Sequence, residues 1–228
     1  PFPEELIRII TMQFSDILFA PSIWAFKNLE KMGKNNQAIA IEGNTIQDAV
    51  HFARSQQRQS GTPNEQYVVC TVHRLETIFS RKRMKKLVSI LNELTAKFII
   101  LFVLHEPTRK KLKDFGLLDT LKKNKNIQIL PMQTYIDFIH LLTRAEFVIT
   151  DGGSIQEETA YLDVPCMILR TRTERKDGLN NNAVLVGFNI NDVRDFIEDL
   201  SKMENHQKTM FVSPSIKIVD YLVSEYGN

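Results

Sequence analysis

The chain has 228 residues, 43% of them apolar and 25% charged, and a net charge of +2 at pH 7. This fits a soluble globular protein of one large or two small domains with a sizeable core, and it excludes the strongly basic balance of a nucleic-acid or membrane-surface binder. The two cysteines, Cys70 and Cys166, lie in apolar strand-like runs, which excludes a disulfide framework.

Apolar residues at helical spacing from Glu4 to Phe19 predict a first helix, with Pro3 before it and two acids in its first turn. Ser22 is a cap for a second helix that Gly33 stops. Ala38 to Ile41 reads as a short strand, Gly43-Asn44-Thr45 as a turn, and Thr45 to Arg54 as a helix. The polar run from Ser55 to Gln66 is the approach to a new domain.

From Tyr67 onward strands and helices alternate. Strands are expected at 67–72, 98–104, 127–130, 147–150, 166–169 and 183–186. Helices are expected at 81–97, 108–122, 135–143, 155–162, 191–203 and 216–226. The strands are short and apolar without alternation, as when both faces of a sheet are covered. That is an α/β fold, a doubly wound parallel sheet of Rossmann-like type, whose ligands bind at the carboxyl ends near the switch in strand order. The first of these strands ends at His73 and the fourth at Asp151, so both face that crevice. The basic run Arg81 to Lys86 opens an amphipathic helix and reads as a solvated face. The longest apolar run, Phe98 to Leu104, is too short to span a bilayer, and no signal-peptide pattern appears, so a cytoplasmic protein is expected. The start at Pro1-Phe2-Pro3, without an initiator Met, suggests a fragment or a trimmed product.

The stretch Thr150-Asp151-Gly152-Gly153-Ser154-Ile155-Gln156-Glu157-Glu158 follows an apolar strand and opens a helix. Glycines at such a turn let the main chain approach a phosphate, and a helix N-terminus favours an anion. Ser154 is a candidate cap, and Glu158, one turn on, is placed to accept two ribose hydroxyls. The plain alternative is a βα turn with a solvated first-turn acid. His73 could contact a phosphate or move a proton, and Arg74 could pair with an anion. The loop Arg170 to Gly178 is dense in arginine: Arg175 suits a diphosphate, while a salt-bridge loop with Glu174 and Asp177 is the alternative. Tyr135 and Phe138 could stack on a base or lie in the core, and His105 reads as a loop histidine. No zinc-ligand spacing and no complete Walker or dinucleotide fingerprint occurs.

Together these motifs resemble the UDP-N-acetylglucosamine 2-epimerase family, over its carboxyl-terminal half and the segment leading into it. The matching residues are Pro3-Glu4-Glu5 with Arg8, Gly43-Asn44-Thr45 with Asp48-Ala49, His73-Arg74 with Glu76, Asp151 to Glu158, Pro165, Arg170 and Thr173-Glu174-Arg175. The family commonly has Asp-Ser-Gly-Gly where this chain has Asp151-Gly152-Gly153-Ser154, and Pro-Glu where it has Lys176-Asp177. The resemblance implies the second domain of a two-domain GT-B-type architecture. Residues 1–66 would be a remnant of the first domain with the linking segment, and 67–228 the UDP-binding domain, its last helix free to return to the N-terminal part.

It further implies epimerisation at C2 of UDP-N-acetylglucosamine, or hydrolysis to ManNAc and UDP, by elimination through a glycal, without nicotinamide, other cofactor or metal. Gly152, Gly153, Ser154 and Arg175 would hold the diphosphate, Glu158 the ribose and Phe138 the uracil, with Arg74 also on UDP. His73 and Glu4 would be catalytic. The family's other carboxylates would lie upstream of Pro1, so this chain is expected to be inactive alone. A homodimer is implied for the full-length form, with a UDP-sugar as substrate and no nucleic acid or membrane as partner. The alternatives are a UDP-sugar-dependent GT-B glycosyltransferase and a UDP-binding module without catalysis.

Overall fold

The computed structural model describes residues 4–57, 65–203 and 212–227. The chain forms two units, Pro1–Ala49 with Thr209–Asn228, and Val50–Lys208. The expected domain approach at 55–66 lies largely outside the described residues.

The first unit begins with α1 (Glu4–Phe14), β1 (Leu18–Ala20), α2 (Ile23–Lys31), β2 (Ala38–Ala40) and the start of α3 (Ile46–Ser55). The helix expected over 4–19 ends five residues early. The Ser15 hydroxyl turns back to the Thr11 carbonyl at 2.8 Å, and Leu18–Ala20 pairs in parallel with Ala38–Ala40. Apolar spacing at 14, 17 and 18 suits either structure, and sheet pairing decides it. Ser22 caps α2 through the Ala25 amide, and Gly33 follows with φ +72°. The Gly43-Asn44-Thr45 turn anchors the chain's last helix. A Cβ on Gly43 would stand 2.5 Å from Pro214 Cγ, and the Asp48 carboxylate accepts both the amide and the hydroxyl of Ser215, at 2.9 and 2.6 Å.

The second unit carries β3 (Tyr67–Thr71), α4 (Leu75–Ile78), α5 (Arg81–Leu94), β4 (Ile99–Val103), α6 (Glu106–Asp114) and α7 (Leu118–Lys123). Then come β5 (Ile127–Leu130), α8 (Tyr135–Thr143), β6 (Val148–Thr150), α9 (Gly153–Leu162), β7 (Cys166–Ile168), β8 (Ala183–Leu185) and α10 (Ile190–Asp199). The closing α11 (Pro214–Tyr226) belongs to the first unit.

All six strands are parallel, in the order β5-β4-β3-β6-β7-β8. The winding reverses between β3 and β6, so the ends of those strands border the ligand crevice of an open α/β sheet. The expected alternation is present with three corrections. The span 108–122 splits into α6 and α7, because Gly116 takes φ +70°. The four-residue α4 follows β3 where no element was expected; it is too short to show a period. The helix expected at 191–203 ends at Asp199, and the next three residues tighten to a 3-10 turn.

The central strands are apolar on both faces because helices cover both. Val68, Cys70, Ile100, Phe102 and Ile149 are fully buried against Leu87, Leu91 and Leu112 of the helices. Phe147 stands between Phe98 and Phe196, each with ring centroids 5.4 Å away in edge-on geometry. The Tyr67 hydroxyl, buried under the sheet, donates to the Leu141 carbonyl at 3.0 Å. Both cysteines are free and buried, and burial pushes their thiols well up. Among the described residues no helix is long and apolar enough to cross a membrane.

Phe147→Ala should cost about 3–5 kcal/mol of stability, since it removes a ring shared by two others and leaves a cavity. Urea denaturation followed by circular dichroism reads this directly; a loss below about 1 kcal/mol, within the reach of surface changes, would mean that the aromatic cluster is not a keystone of this core.

Candidate functional site

The site begins with a buried charge. Asp151 follows β6 and is wholly inaccessible to solvent. One of its oxygens accepts the His73 amide at 3.0 Å and the other the Arg74 amide at 3.1 Å. Because β3 and β6 are neighbours with Thr71 opposite Thr150, the carboxylate reaches the adjacent strand end. Each such charge-assisted bond is worth about 1.5–3 kcal/mol. From the other side the buried Thr108 hydroxyl donates to the Val72 carbonyl at 2.7 Å. The loop after β3 is thus fixed from two neighbouring elements.

His73 is held on that loop, with Nδ1 4.0 Å from the Asp151 carboxylate. Its ring lies against His105, with centroids 4.8 Å apart and planes tilted by 31°. His105 ends the β4 connection and begins α6. Burial, and then the neighbouring His73, hold its pKa below the usual histidine value, with Asp151 opposing them. The loop histidine of the sequence reading is therefore a neighbour of the candidate catalytic one.

The glycine turn is built for close approach rather than unusual dihedrals. Gly152 is extended, with φ −89°, and is itself the N-cap of α9; its amide donates to the Thr150 hydroxyl at 3.0 Å. Ser154 was expected to cap this helix. It lies instead inside the first turn and is exposed, because the helix already starts at Gly153. A Cβ on Gly152 would come within 2.9 Å of the His73 ring, and one on Gly153 within 3.1 Å of Arg175 Cγ. Two candidate side chains, His73 and Arg175, therefore close over the two glycines. The first-turn amides of α9 have no intrahelical acceptors, and they present a partial positive charge beside those side chains.

Glu158 lies one turn beyond Ser154 and is buried. Burial first, and then Glu157, push its carboxyl up to about 7, while the Tyr135 hydroxyl bonds the carboxylate and pulls the other way. Tyr135 opens α8, behind the Thr134 cap. Its phenol is pushed up to about 12 by burial and by the Glu158 charge. Tyr135 therefore serves Glu158 through its hydroxyl, a role the sequence did not suggest. Phe138 lies one turn further along α8, half-buried.

The arginine loop carries the salt bridges the sequence allowed at Glu174, but not at Asp177. Arg170 and Arg74 reach Glu174 at 3.1 and 3.6 Å, and Arg74 also reaches Glu76 at 3.0 Å. Burial raises the Glu174 pKa, but its own backbone bond and the two arginines outweigh it and hold the carboxyl below its usual value. Arg175 turns away from this cluster, and its guanidinium meets Glu157 of α9 at 3.0 Å. Asp177 instead accepts the Tyr161 hydroxyl at 2.9 Å.

The second unit thus holds His73, Arg74, Gly152, Gly153, Ser154, Glu158, Arg175 and Phe138. Glu4 opens α1 of the first unit. Among the described residues no three His, Cys, Asp or Glu side chains group as metal ligands. Sequence reasoning assigned no role to Asp151, Gln156 or Glu157, although all three are buried. The available signal was polar residues on successive positions of a helix that must pack on a sheet.

Comparison with known proteins places the chain in a family. The family model described as UDP-N-acetylglucosamine 2-epimerase matches residues 1–215. A protein of Methanococcus maripaludis named UDP-N-acetylglucosamine 2-epimerase is 36% identical over 221 residues, covering 92% of this chain and 60% of the relative. A Pseudomonas aeruginosa protein named UDP-2,3-diacetamido-2,3-dideoxy-D-glucuronate 2-epimerase is 33% identical, covering 81% of this chain and 52% of its own. The Methanocaldococcus jannaschii UDP-GlcNAc 2-epimerase, solved in complex with UDP-GlcNAc and UDP, superposes with a TM-score of 0.82 at 30% identity. That match covers 98% of this chain and 65% of the other. The chain thus spans about 60% of the length of the curated relatives it matches. It belongs to the UDP-N-acetylglucosamine 2-epimerase family.

Proposed function

We propose that this chain supplies the UDP-binding part of an enzyme that inverts C2 of a UDP-linked N-acetylhexosamine, with UDP-N-acetylglucosamine as the first candidate substrate. The observation that carries the reading is the glycine turn at the strand switch, with His73 and Arg175 closed over it and a buried carboxylate, Glu158, one helical turn beyond. An anion-favouring helix end beside a ribose-reading acid suits a nucleoside diphosphate. The complex of the Methanocaldococcus jannaschii relative with UDP-GlcNAc and UDP supports the same ligand here.

In this reading the first-turn amides of α9, the Ser154 hydroxyl and the Arg175 guanidinium meet the diphosphate. Glu158 accepts the ribose hydroxyls, Phe138 lies by the uracil and Arg74 adds a cation to the UDP site. A base takes the C2 proton, the C1–O bond breaks, and UDP leaves with the electron pair, giving a glycal. Addition of UDP at C1 with a proton delivered to the opposite face of C2 gives UDP-N-acetylmannosamine; addition of water in place of UDP gives free ManNAc. His73 stabilises the phosphate as charge develops on it or returns a proton, and Glu4 is one of the carboxylates that exchange the C2 proton. The working enzyme is a cytoplasmic homodimer in this proposal, and this chain by itself does not complete the reaction. The Pseudomonas aeruginosa relative makes a UDP-diacetamido-uronate the second candidate sugar. NMR of the protein incubated with each UDP-sugar in deuterated water tests the reading, which predicts deuterium at C2 of the true substrate once the family's full length is present.

Glu158→Ala should weaken UDP binding by about 1–3 kcal/mol and pyrophosphate binding far less, because only the ribose contact is lost. Calorimetry with both ligands checks this, and equal losses would remove the ribose assignment.

A pH dependence follows from the same residue. Burial pushes the Glu158 carboxyl up to about 7 in the folded chain, from its ordinary value of 4.5 when unfolded. Between those values the folded state holds more protons, so wild-type stability falls as pH rises through that window. Glu158→Gln should lack this component, and denaturation midpoints of the two proteins at the two ends of the window should diverge in favour of the variant at the higher pH. A constant difference would mean that Glu158 is already ionised in the acid range.

In the full-length protein His73→Ala should lower turnover more than it lowers UDP affinity, since His73 acts on the phosphate as charge develops during C1–O cleavage or returns a proton. Normal turnover at saturation with much weaker UDP binding would make His73 a binding residue only.

A further inference from the structure

One side of α9 is devoted to holding the arginine loop. Gly153, Gln156, Glu157, Ala160 and Tyr161 fall on a single stripe, three or four residues apart. Each meets the loop. Arg175 Cγ passes over Gly153, the Arg175 guanidinium bonds Glu157, Gly178 sits so close to Ala160 that a Cβ there would be 2.9 Å from Ala160 Cβ, and Tyr161 bonds Asp177.

Gln156 is at the centre of the stripe, with no solvent exposure. Its amide nitrogen donates to the carbonyls of Arg175 and Asp177, at 3.2 and 2.8 Å. Its amide oxygen accepts the Thr173 hydroxyl at 2.9 Å, and the Thr173 oxygen in turn accepts the Arg175 amide at 3.1 Å. Both backbone polar groups of Arg175 are therefore tied to one side chain, the carbonyl directly and the amide through Thr173. A carboxylate at 156 would face two carbonyl oxygens without a donor for either, and an apolar residue would remove the partner of two part-buried carbonyls and one hydroxyl. Glutamine fits because it brings a donor pair and an acceptor on one rigid plane. An arginine placed by its backbone keeps its position even when its guanidinium exchanges partners, which a surface arginine held only by an ion pair does not.

We infer that Gln156, with Thr173 as its relay, is the positioning residue that fixes Arg175 over the glycine turn for contact with a diphosphate. The inference rests on the reading that Arg175 meets UDP. It assigns Gln156 no contact with ligand; its effect on binding passes through Arg175.

UDP affinity measured by calorimetry, in two double-mutant cycles, tests this. Gln156→Met should weaken UDP about tenfold, the equivalent of one charge-assisted bond. Combined with Arg175→Ala it should add nothing to the loss from Arg175→Ala alone. Combined with Phe138→Ala, at the uracil end, the losses should multiply. Thr173→Val, at a half-buried position, should give a smaller loss that also vanishes in the Arg175→Ala background, and it carries the test if Gln156→Met does not fold. A merely structural role predicts a lower melting temperature and multiplying losses in both cycles, and that result overturns the inference. Unchanged UDP affinity in Gln156→Met overturns it as well. Wild-type protein that does not bind UDP at all overturns instead the reading of the site as a UDP site.

Discussion

The site depends on one buried carboxylate. Asp151 has no access to water, and a charge in that state persists only if the fold supplies donors for both of its oxygens. The donors are consecutive amides, His73 and Arg74, on the loop that leaves the neighbouring strand. The bonds therefore close the gap between β3 and β6 at the place where the winding of the sheet reverses. Everything on that loop inherits its position. His73 closes over Gly152 from an amide that is fixed, and a Cβ on Gly152 would push the His73 ring aside. Asparagine at 151 could accept only one of the two amides with its oxygen and would turn a donor toward the other.

Most of the fold was legible because the sheet is buried on both faces. Strands that must be apolar throughout are short uninterrupted runs, and β3 to β8 all appear as such in the sequence. Where the reading failed, the signal was local and the cause was not. Phe14, Ile17 and Leu18 keep a helical spacing, yet pairing with Ala38–Ala40 draws the last of them into a strand. The span 108–122 carries an apolar period through Gly116, but the left-handed backbone that glycine permits ends one helix and starts another.

The candidate site was legible at the level of motif and illegible at the level of partnership. Gly152, Gly153, Glu158, His73 and Arg175 stood out by residue type at strand ends. Their supports did not, because no spacing rule connects Asp151 to an amide 78 residues away or Gln156 to carbonyls on a loop beyond the next strand. Tyr135 shows the same gap in another form. As a ring one turn before Phe138 it suggested stacking on a base or core packing, and its hydroxyl, which neither reading used, answers the carboxylate of another helix. The face of α9 shows what the structure adds: five residues at helical spacing, small, amide, acid, small and phenol, form a polar stripe whose central pair, Gln156 and Glu157, is buried.

That stripe bears on how the two ends of a nucleotide would be read together. Glu157 and Glu158 are adjacent in sequence and point about 100° apart around the helix, one toward Arg175 and the other toward Tyr135. Glu157 is part of why a charge on Glu158 is costly. An anion that engages Arg175 takes up some of the positive charge that now faces Glu157, and in a low-dielectric setting the uncompensated part of that negative charge is felt one residue away. On the proposed assignment of Arg175 to the diphosphate and Glu158 to the ribose, the two ends would therefore not be electrically independent. Occupation of the first would raise the cost of ionising Glu158, while ribose hydroxyls donating to Glu158 would lower it. A ligand with both groups would satisfy both demands in one event, and a ligand with only the phosphates would leave the cost at Glu158 uncompensated. Discrimination for a nucleoside diphosphate over pyrophosphate would then come from two neighbouring acids as well as from the count of contacts.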